Sequence, residues 1–452
     1  RIPCSSTKII YFIDSLAVNI SNSEKTLKMN RIIAPTRKVN GEITVPGEKL
    51  LAERAVLMAS LAEGESRVNN IPPSSLPLVD QLKLLGVEIV QDGDSVGVHG
   101  RGLHSYRQVD RVIKLSEFGD VGLMLLSLLS AHEERYRVDL GHEPNWYEPL
   151  LQCLSDMGMS VHSETEHIFV VGGGSNRAID YDIVDYRPEV KMAILLAAVY
   201  CTGKTTLRET EKSRNRMERF LRVRGISLDR RKLDDERYEL SLQGGQNICP
   251  LDVDLPGDLD LAYPFLLPAL TLKGSELTIK SVAVRSGHRH FLDFLRQIGS
   301  NIEFTDLKDS VYDLTVRSSK LKATRIAGTR TKKILSQIIL LAVLATRISG
   351  EMLVRDIESL RNNSFDIVDH IFDSMRTLGV RIGEFHEGLV IKGGSPINGG
   401  KVDAKSNIDL IQAFAVLGLW SETELIIENT ETIEEKNPHF FEILDAIKEK
   451  KL

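Results

Sequence analysis

Cysteine is scarce in this sequence. There are four in 452 residues, Cys4, Cys153, Cys201 and Cys249, widely spaced and with no CxxC pair. That excludes a disulfide framework and a CxxC zinc site, and it fits a reducing compartment. No apolar run is long enough to span a bilayer, which needs about 20 residues. The longest candidate, "IIYFIDSLAVNI" over 9–20, is short and broken by Asp14. A basic surplus is also missing: the net charge is −6 and the pI about 6.1. Nucleic-acid binders usually carry an excess of Lys and Arg, so neither a nucleic acid nor a membrane is expected as a partner.

What is present is repetition. One motif is an amphipathic helix that ends at a glycine, followed by a strand, a turn and a strand. "LVDQLKLLGVEIVQDGDSVGVHG" and "IFDSMRTLGVRIGEFHEGLVIKGG" are two of its five copies. Gly86, Gly158, Gly225, Gly299 and Gly379 fall where a helix C-terminus favours a left-handed residue. A second motif, an apolar helix and then a β-rich segment, appears six times, as in "LMLLSLLSAHEERYRVDL" and "IILLAVLATRISGEMLVRD". These helices are apolar all round and should be buried. Helix, strand and hairpin combine into a βαβαββ unit. "FFEILDAIKEKKL" closes the chain as a sixth helix of the first type without its hairpin. Units too small to stand alone should group as three plus three.

The opening segment "VPGEKLLAERA" places Lys49 after a Pro-Gly turn and Arg54 five residues later. That is how an anion-binding helix begins, yet Leu50, Leu51, Ala52 and Glu53 fill the gap. Other local patterns carry less. "CTGKTT" has Ala198 where a phosphate-binding GxxxxGK[ST] loop needs glycine, and a helix precedes it. "VGGGSN" and "GGQN" read as hairpin exits. "RSGHRH", with Arg285, His288, Arg289 and His290, reads as a solvated loop that could receive an anion. No His/Cys/Asp cluster has metal-ligand spacing, so no metal is expected.

With its six units and "VPGEK…R", the chain resembles the enolpyruvyl transferases, specifically the EPSP synthase family. The likeness runs from Asn30 to about Leu444. "SRNRMERFLRVRGI", "VDLPGDLDLAYPFLLPAL" and "NPHFFEIL" resemble that family's Ser-Arg, Pro-Gly-Asp and closing segments, in order. The resemblance implies an α/β fold: a two-domain inside-out α/β barrel of six βαβαββ repeats, three per domain. Residues 29–48 plus 259–452 would form the first domain and 49–258 the second, with crossings near Lys49 and Asp258. Residues 1–28 would be an N-terminal tail, with a signal or transit peptide as the alternative. The family transfers the enolpyruvyl group of phosphoenolpyruvate to shikimate 3-phosphate. It needs a base, an acid and several cations in a cleft faced by helix N-termini. No cofactor is implied, and a cytoplasmic monomer is expected.

Carried over residue by residue, the resemblance divides. Lys49 falls on the catalytic lysine and Arg54 on a substrate-binding arginine. Gly119, Ser213, Arg214, Asp258 and Arg361 are the other substrate-binding candidates. Ser213 would hold the substrate phosphate, or simply cap the helix after it. Much of the remaining pattern is replaced. The serine after the lysine is Leu50. The Asn-Ala-Gly-Thr segment is "EFGDVG", where Glu117 and Asp120 bring negative charge, and the arginine beyond it is Leu123. A second arginine falls near Asn145. Ser-Ser-Gln reads Arg187, Pro188, Glu189. The essential Asp-Glu pair reads Ser336, Gln337. Lys-Glu-Ser-Asp-Arg reads Asn363, Ser364, Phe365, Asp366, Ile367. Asp-His-Arg reads Asn407, Ile408, Asp409, and the late lysine falls at Glu435 or Lys436.

Three readings follow. The chain is a degenerate paralogue without normal transferase activity that binds an anion or a partner protein. Or it is a divergent transferase with relocated groups, Glu189 or Asp366 among them. Or it is a working EPSP synthase. RNA 3′-phosphate cyclases use a related repeat fold, but no nucleotide-binding or histidine-nucleophile signal accompanies it here.

Overall fold

The computed structural model describes residues 29–141, 147–183, 188–210, 217–233, 237–361 and 365–449. The architecture is mixed α/β, built from one small sheet repeated with a single topology. Strands Val112–Lys114 and Tyr136–Asp139 pair in parallel, joined through a buried helix. Ile168–Val171 then pairs antiparallel with Tyr136–Asp139, and Val161–Ser163 lies outside it as the edge strand. The same parallel–antiparallel–antiparallel order recurs in four further sheets. This is the βαβαββ unit expected from the motif pattern.

Three sheets are completed by strands far apart in the chain. Asp252–Asp254 returns to pair in parallel with Glu63–Asn69. Asn40–Ile43 pairs in parallel with Glu276–Ala283. Arg31–Ile33 pairs antiparallel with Leu425–Glu428, supplying the third strand of the last sheet. Arg31–Ile33 thus takes, beside Leu425–Glu428, the antiparallel place that a hairpin strand takes in the other sheets.

Among the described residues, six helices lie under these sheets: Lys49–Ser60, Gly119–Ser130, Pro188–Val199, Leu259–Thr271, Ile338–Ala345 and Ile408–Leu419. Every residue of Ile338–Ala345 is buried, as is Val121 through Ser130. A helix apolar all round has no solvent face to offer, so it packs on its own kind. The second helix packs on both the first and the third, and the last three pack on one another. Two separate cores result. One gathers Ile33 to Val45 with Leu259 to Ile447, and the other Ala52 to Leu255. The five repeat glycines stand at φ between +79° and +102°, each ending an amphipathic helix.

The chain passes between the cores at two places, and they touch. Gly47 bridges Gly257, and the Asp258 amide donates to the Pro46 carbonyl at 2.9 Å. The contact requires glycine. A Cβ on Gly47 would lie 2.3 Å from the Asn70 carbonyl oxygen, and one on Gly257 would lie 2.6 Å from Val45 Cγ2. A cleft opens beyond these crossings, and the crossings set the position of its walls.

One helix hides a charge. Lys191 is 1% exposed within Pro188–Val199, and its Nζ lies 2.7 Å from Glu209 and 2.9 Å from Glu218. Arg230 adds contacts of 3.4 Å and 3.3 Å to the same two carboxylates. Two cations and two anions therefore tie a helix, two strands and the helix Met217–Val223 together in one buried cluster.

Two outcomes follow from this packing. Gly47→Ala should lose about 1–3 kcal/mol of stability in urea unfolding, the usual cost of overpacking. Lys191→Met should lose about 3–5 kcal/mol by the same measurement, because it leaves buried carboxylates uncompensated.

Candidate functional site

The cleft beyond the crossings has a volume of about 480 Å³ and is lined from both cores. Glu48, Lys49, Leu50 and Glu53 come from the start of the first buried helix. Ser116 to Asp120 come from the turn that begins the second. Asp258 and Arg285 come from the other core. Residues at the starts of four helices line this space, and the free N–H groups of helix N-termini favour negative charge. The side chains do not follow that preference. The lining holds five carboxylates, Glu48, Glu53, Glu117, Asp120 and Asp258, against the two cations Lys49 and Arg285.

Each cation already has an anion near it. Lys49 Nζ lies 3.6 Å from Glu53 Oε1, one helical turn along. Arg285 Nη1 donates to Glu48 Oε1 at 2.5 Å, joining the two cores. Arg54 lies behind the lining with its Nε buried and without a hydrogen-bond partner. Burial pulls its guanidinium below the ordinary range, while the charges of Asp120, Glu189 and Glu48 oppose that pull. Gly119 opens its helix at φ +50°, and a Cβ there would meet nothing within 4 Å.

Asp258 caps the fourth buried helix, its Oδ1 accepting from the Asp260 amide at 3.0 Å. Beside it, Asp260 Oδ2 lies 3.4 Å from His288 Nε2, and Gln337 Nε2 donates to Asp260 Oδ1 at 3.0 Å. Burial raises the Asp260 carboxyl, but His288, Arg285 and Gln337 outweigh it and hold it below the usual carboxylate range. Gln337 is thus a hydrogen-bond donor to a carboxylate. Ser336 beside it is exposed.

Of the sequence candidates, Lys49, Gly119 and Asp258 line this one space, while Arg54, outside the lining, feels the charges of Asp120, Glu189 and Glu48. Arg361 stands apart. It donates to Asp366 at 2.8 Å, to Glu384, and to the carbonyls of His386 and Phe385 at 3.2 Å and 3.4 Å. With those contacts made, its guanidinium braces a hairpin. Asp366 in turn caps the helix Ile367–Thr377. Ser213 and Arg214 lie outside the described residues, as do Asn145, Arg187, Asn363 and Ser364.

Two site residues were misread from the sequence. "RSGHRH" is not a solvated loop: Ser286–Gln297 is a helix, Arg285 stands at its N-cap, and His288 is 6% exposed. The signal was there, since His288, Phe291, Leu292 and Leu295 recur at helical spacing and form its buried face. Asp258, Asp260 and His288 also converge, their ligand atoms within 4.8 Å of one another, which linear spacing did not reveal. Glu53, read as filler between two cations, faces the cleft beside one of them.

Comparison with known proteins bears on this geometry. Residues 33–444 match the family described as EPSP synthase (3-phosphoshikimate 1-carboxyvinyltransferase). The chain belongs to the EPSP synthase family. A 3-phosphoshikimate 1-carboxyvinyltransferase of Thermodesulfovibrio yellowstonii is 31% identical over 433 residues, covering 93% of this chain and all of the relative. The enzyme of that name from Geobacter sulfurreducens is 29% identical, with 91% and 98% covered. The fold is shared with a solved EPSP synthase from Acinetobacter baumannii, at a TM-score of 0.77 and 22% identity over 93% of this chain and 98% of that one. No described helix is long and apolar enough to cross a membrane.

Glu53 gives this site a pH dependence. Its side chain is 4% exposed, and burial pushes its carboxyl up to about 7, with Lys49 and Arg54 opposing. A carboxyl raised on folding binds protons more tightly in the native state. Its contribution is therefore full at low pH and is lost as pH rises from the ordinary Glu range through 7. Glu53→Gln should cancel that loss. Relative to the unsubstituted chain, the variant should gain up to about 3 kcal/mol between about pH 4.5 and pH 8, read by urea unfolding across that range.

Proposed function

We propose that this chain is an EPSP synthase-fold protein without the normal 3-phosphoshikimate 1-carboxyvinyltransferase activity of its relatives. The observation that carries this reading is the charge of the cleft. Five lining carboxylates face two cations, and Lys49 and Arg285 are each paired with one of those carboxylates. Shikimate 3-phosphate and phosphoenolpyruvate together bring two phosphates and two carboxylates. To bind here they would have to displace internal anions and then sit beside them. Each lost charge-assisted hydrogen bond is worth about 1.5–3 kcal/mol.

The chemical groups point the same way. The acid pair of the family pattern reads Ser336 and Gln337, and Gln337 is committed to Asp260. Loss of a general acid or base slows a reaction by roughly 10²–10⁴. The two cores, 29–48 plus 259–452 and 49–258, we take as the two domains, with the cleft between them as the ligand site. Lys49, Arg54, Gly119 and Asp258 would be its contacts, with Ser213 and Arg214 completing it. A small anion bound more weakly than in the relatives is the expected ligand.

Full-length protein should release no phosphate from phosphoenolpyruvate and shikimate 3-phosphate beyond a rate about 10³-fold below an ordinary enzyme's ~10 s⁻¹. Turnover of about 1 s⁻¹ or more, read by continuous phosphate detection, would overturn the proposal.

A further inference from the structure

Glu53 differs from the other acids of the cleft. Glu48 is held by Arg285 at 2.5 Å, and Asp258 accepts a backbone amide at 3.0 Å. Glu117 is exposed and pairs with Lys114 at 3.5 Å, and the charge of Asp120 acts on Arg54. Glu53 is 3% exposed and lines the cleft, and among the described residues the cation within ion-pair reach of it is Lys49, at 3.6 Å. Burial outweighs what the charges of Lys49 and Arg54 give back, so this carboxylate is poorly stabilised as an anion. Lys49 itself is half exposed, at 49%, and among the described residues it is the lining cation that its own core contributes.

We propose that Glu53 is a proton gate on an oxyanion site at Lys49. With Glu53 protonated, the lysine is free to hold a divalent oxyanion such as a sulfate or a phosphate ester. With Glu53 ionised, the lysine is neutralised from within and the anion is excluded. The balance is one proton: above the Glu53 transition, each anion bound takes up one proton at the Glu53 carboxyl, with no covalent bond changed. Burial places that transition near pH 7, where the gate would respond to small changes. The other charges facing the site are Glu48, Glu117 and Asp120, with Asp258 and Arg285 from the second core, and Arg54, outside the lining, acts on Glu53 through its charge. This rests on the reading that internal carboxylates hold the cleft's cations, but it does not depend on the absence of turnover.

Sulfate is the appropriate probe, because its own charge is constant over the pH range. Calorimetric titration of the full chain with sulfate should give constant affinity below about pH 6 and a roughly tenfold fall per pH unit above about 7, with one proton taken up per anion at pH 8. Glu53→Gln should bind equally at pH 6 and pH 8, and Lys49→Ala should bind at least about tenfold more weakly at pH 6. A slope that survives in Glu53→Gln, a flat profile in the unsubstituted chain, or no binding at pH 6 with about 50 mM sulfate, roughly the weakest affinity worth the name of a site, would each overturn the gate. Phosphate release in the transferase assay would overturn only the proposed function, so the two failures are separable.

Discussion

The molecule depends on one contact between backbones. At Gly47 and Gly257 the chain passes between its two cores, and the passing segments lie against each other, with the Asp258 amide bonded to Pro46. Neither position has room for a side chain. Because the next residues after these crossings are Glu48, Lys49 and Asp258, the same contact that joins the cores delivers charged groups to the cleft. Fold and site are therefore specified together at this point.

What the cleft then does with those groups departs from its architecture. Helix N-termini from both cores set up a field that suits anions. The side chains supply the anions internally: Glu48 for Arg285, Glu53 for Lys49, and Asp120 and Glu189 near Arg54. A site built this way is stable without a ligand, since its cations are not left bare. It is also selective against highly charged ligands, which must compete with groups already in place. Apolar helices, repeat glycines and the crossing make the scaffold, and polar residues at helix starts make the site.

That separation explains what could be read in advance. The repeating unit was legible because it is periodic: apolar helices, a glycine at positive φ and a hairpin recur at nearly constant spacing. Lys49, Arg54, Gly119 and Asp258 were singled out by the resemblance of their short segments to the family's, and three of them, Lys49, Gly119 and Asp258, line one cleft. Arg285 and His288 were misplaced because a short polar sequence can be a loop or the first turn of a helix, and the decision lay in apolar residues further on. Arg361 kept its identity but not its freedom, since its partners Asp366 and Glu384 come from two other elements. Lys191 was hidden because a single cation in an apolar helix shows its purpose only when strands and a second helix fold around it. Pairings of this kind are tertiary, and linear pattern carries no trace of them.

The pairing of Arg31–Ile33 with Leu425–Glu428 has a consequence for synthesis. The core from Ala52 to Leu255 is one continuous stretch, complete once the ribosome has passed the second crossing. The other core needs a strand made first and a sheet made last. Its opening residues must wait, unpaired, while most of the chain is added. On the ribosome the middle of this protein is thus free to fold before its beginning, and the strand at Arg31–Ile33 is among the last to find its partner.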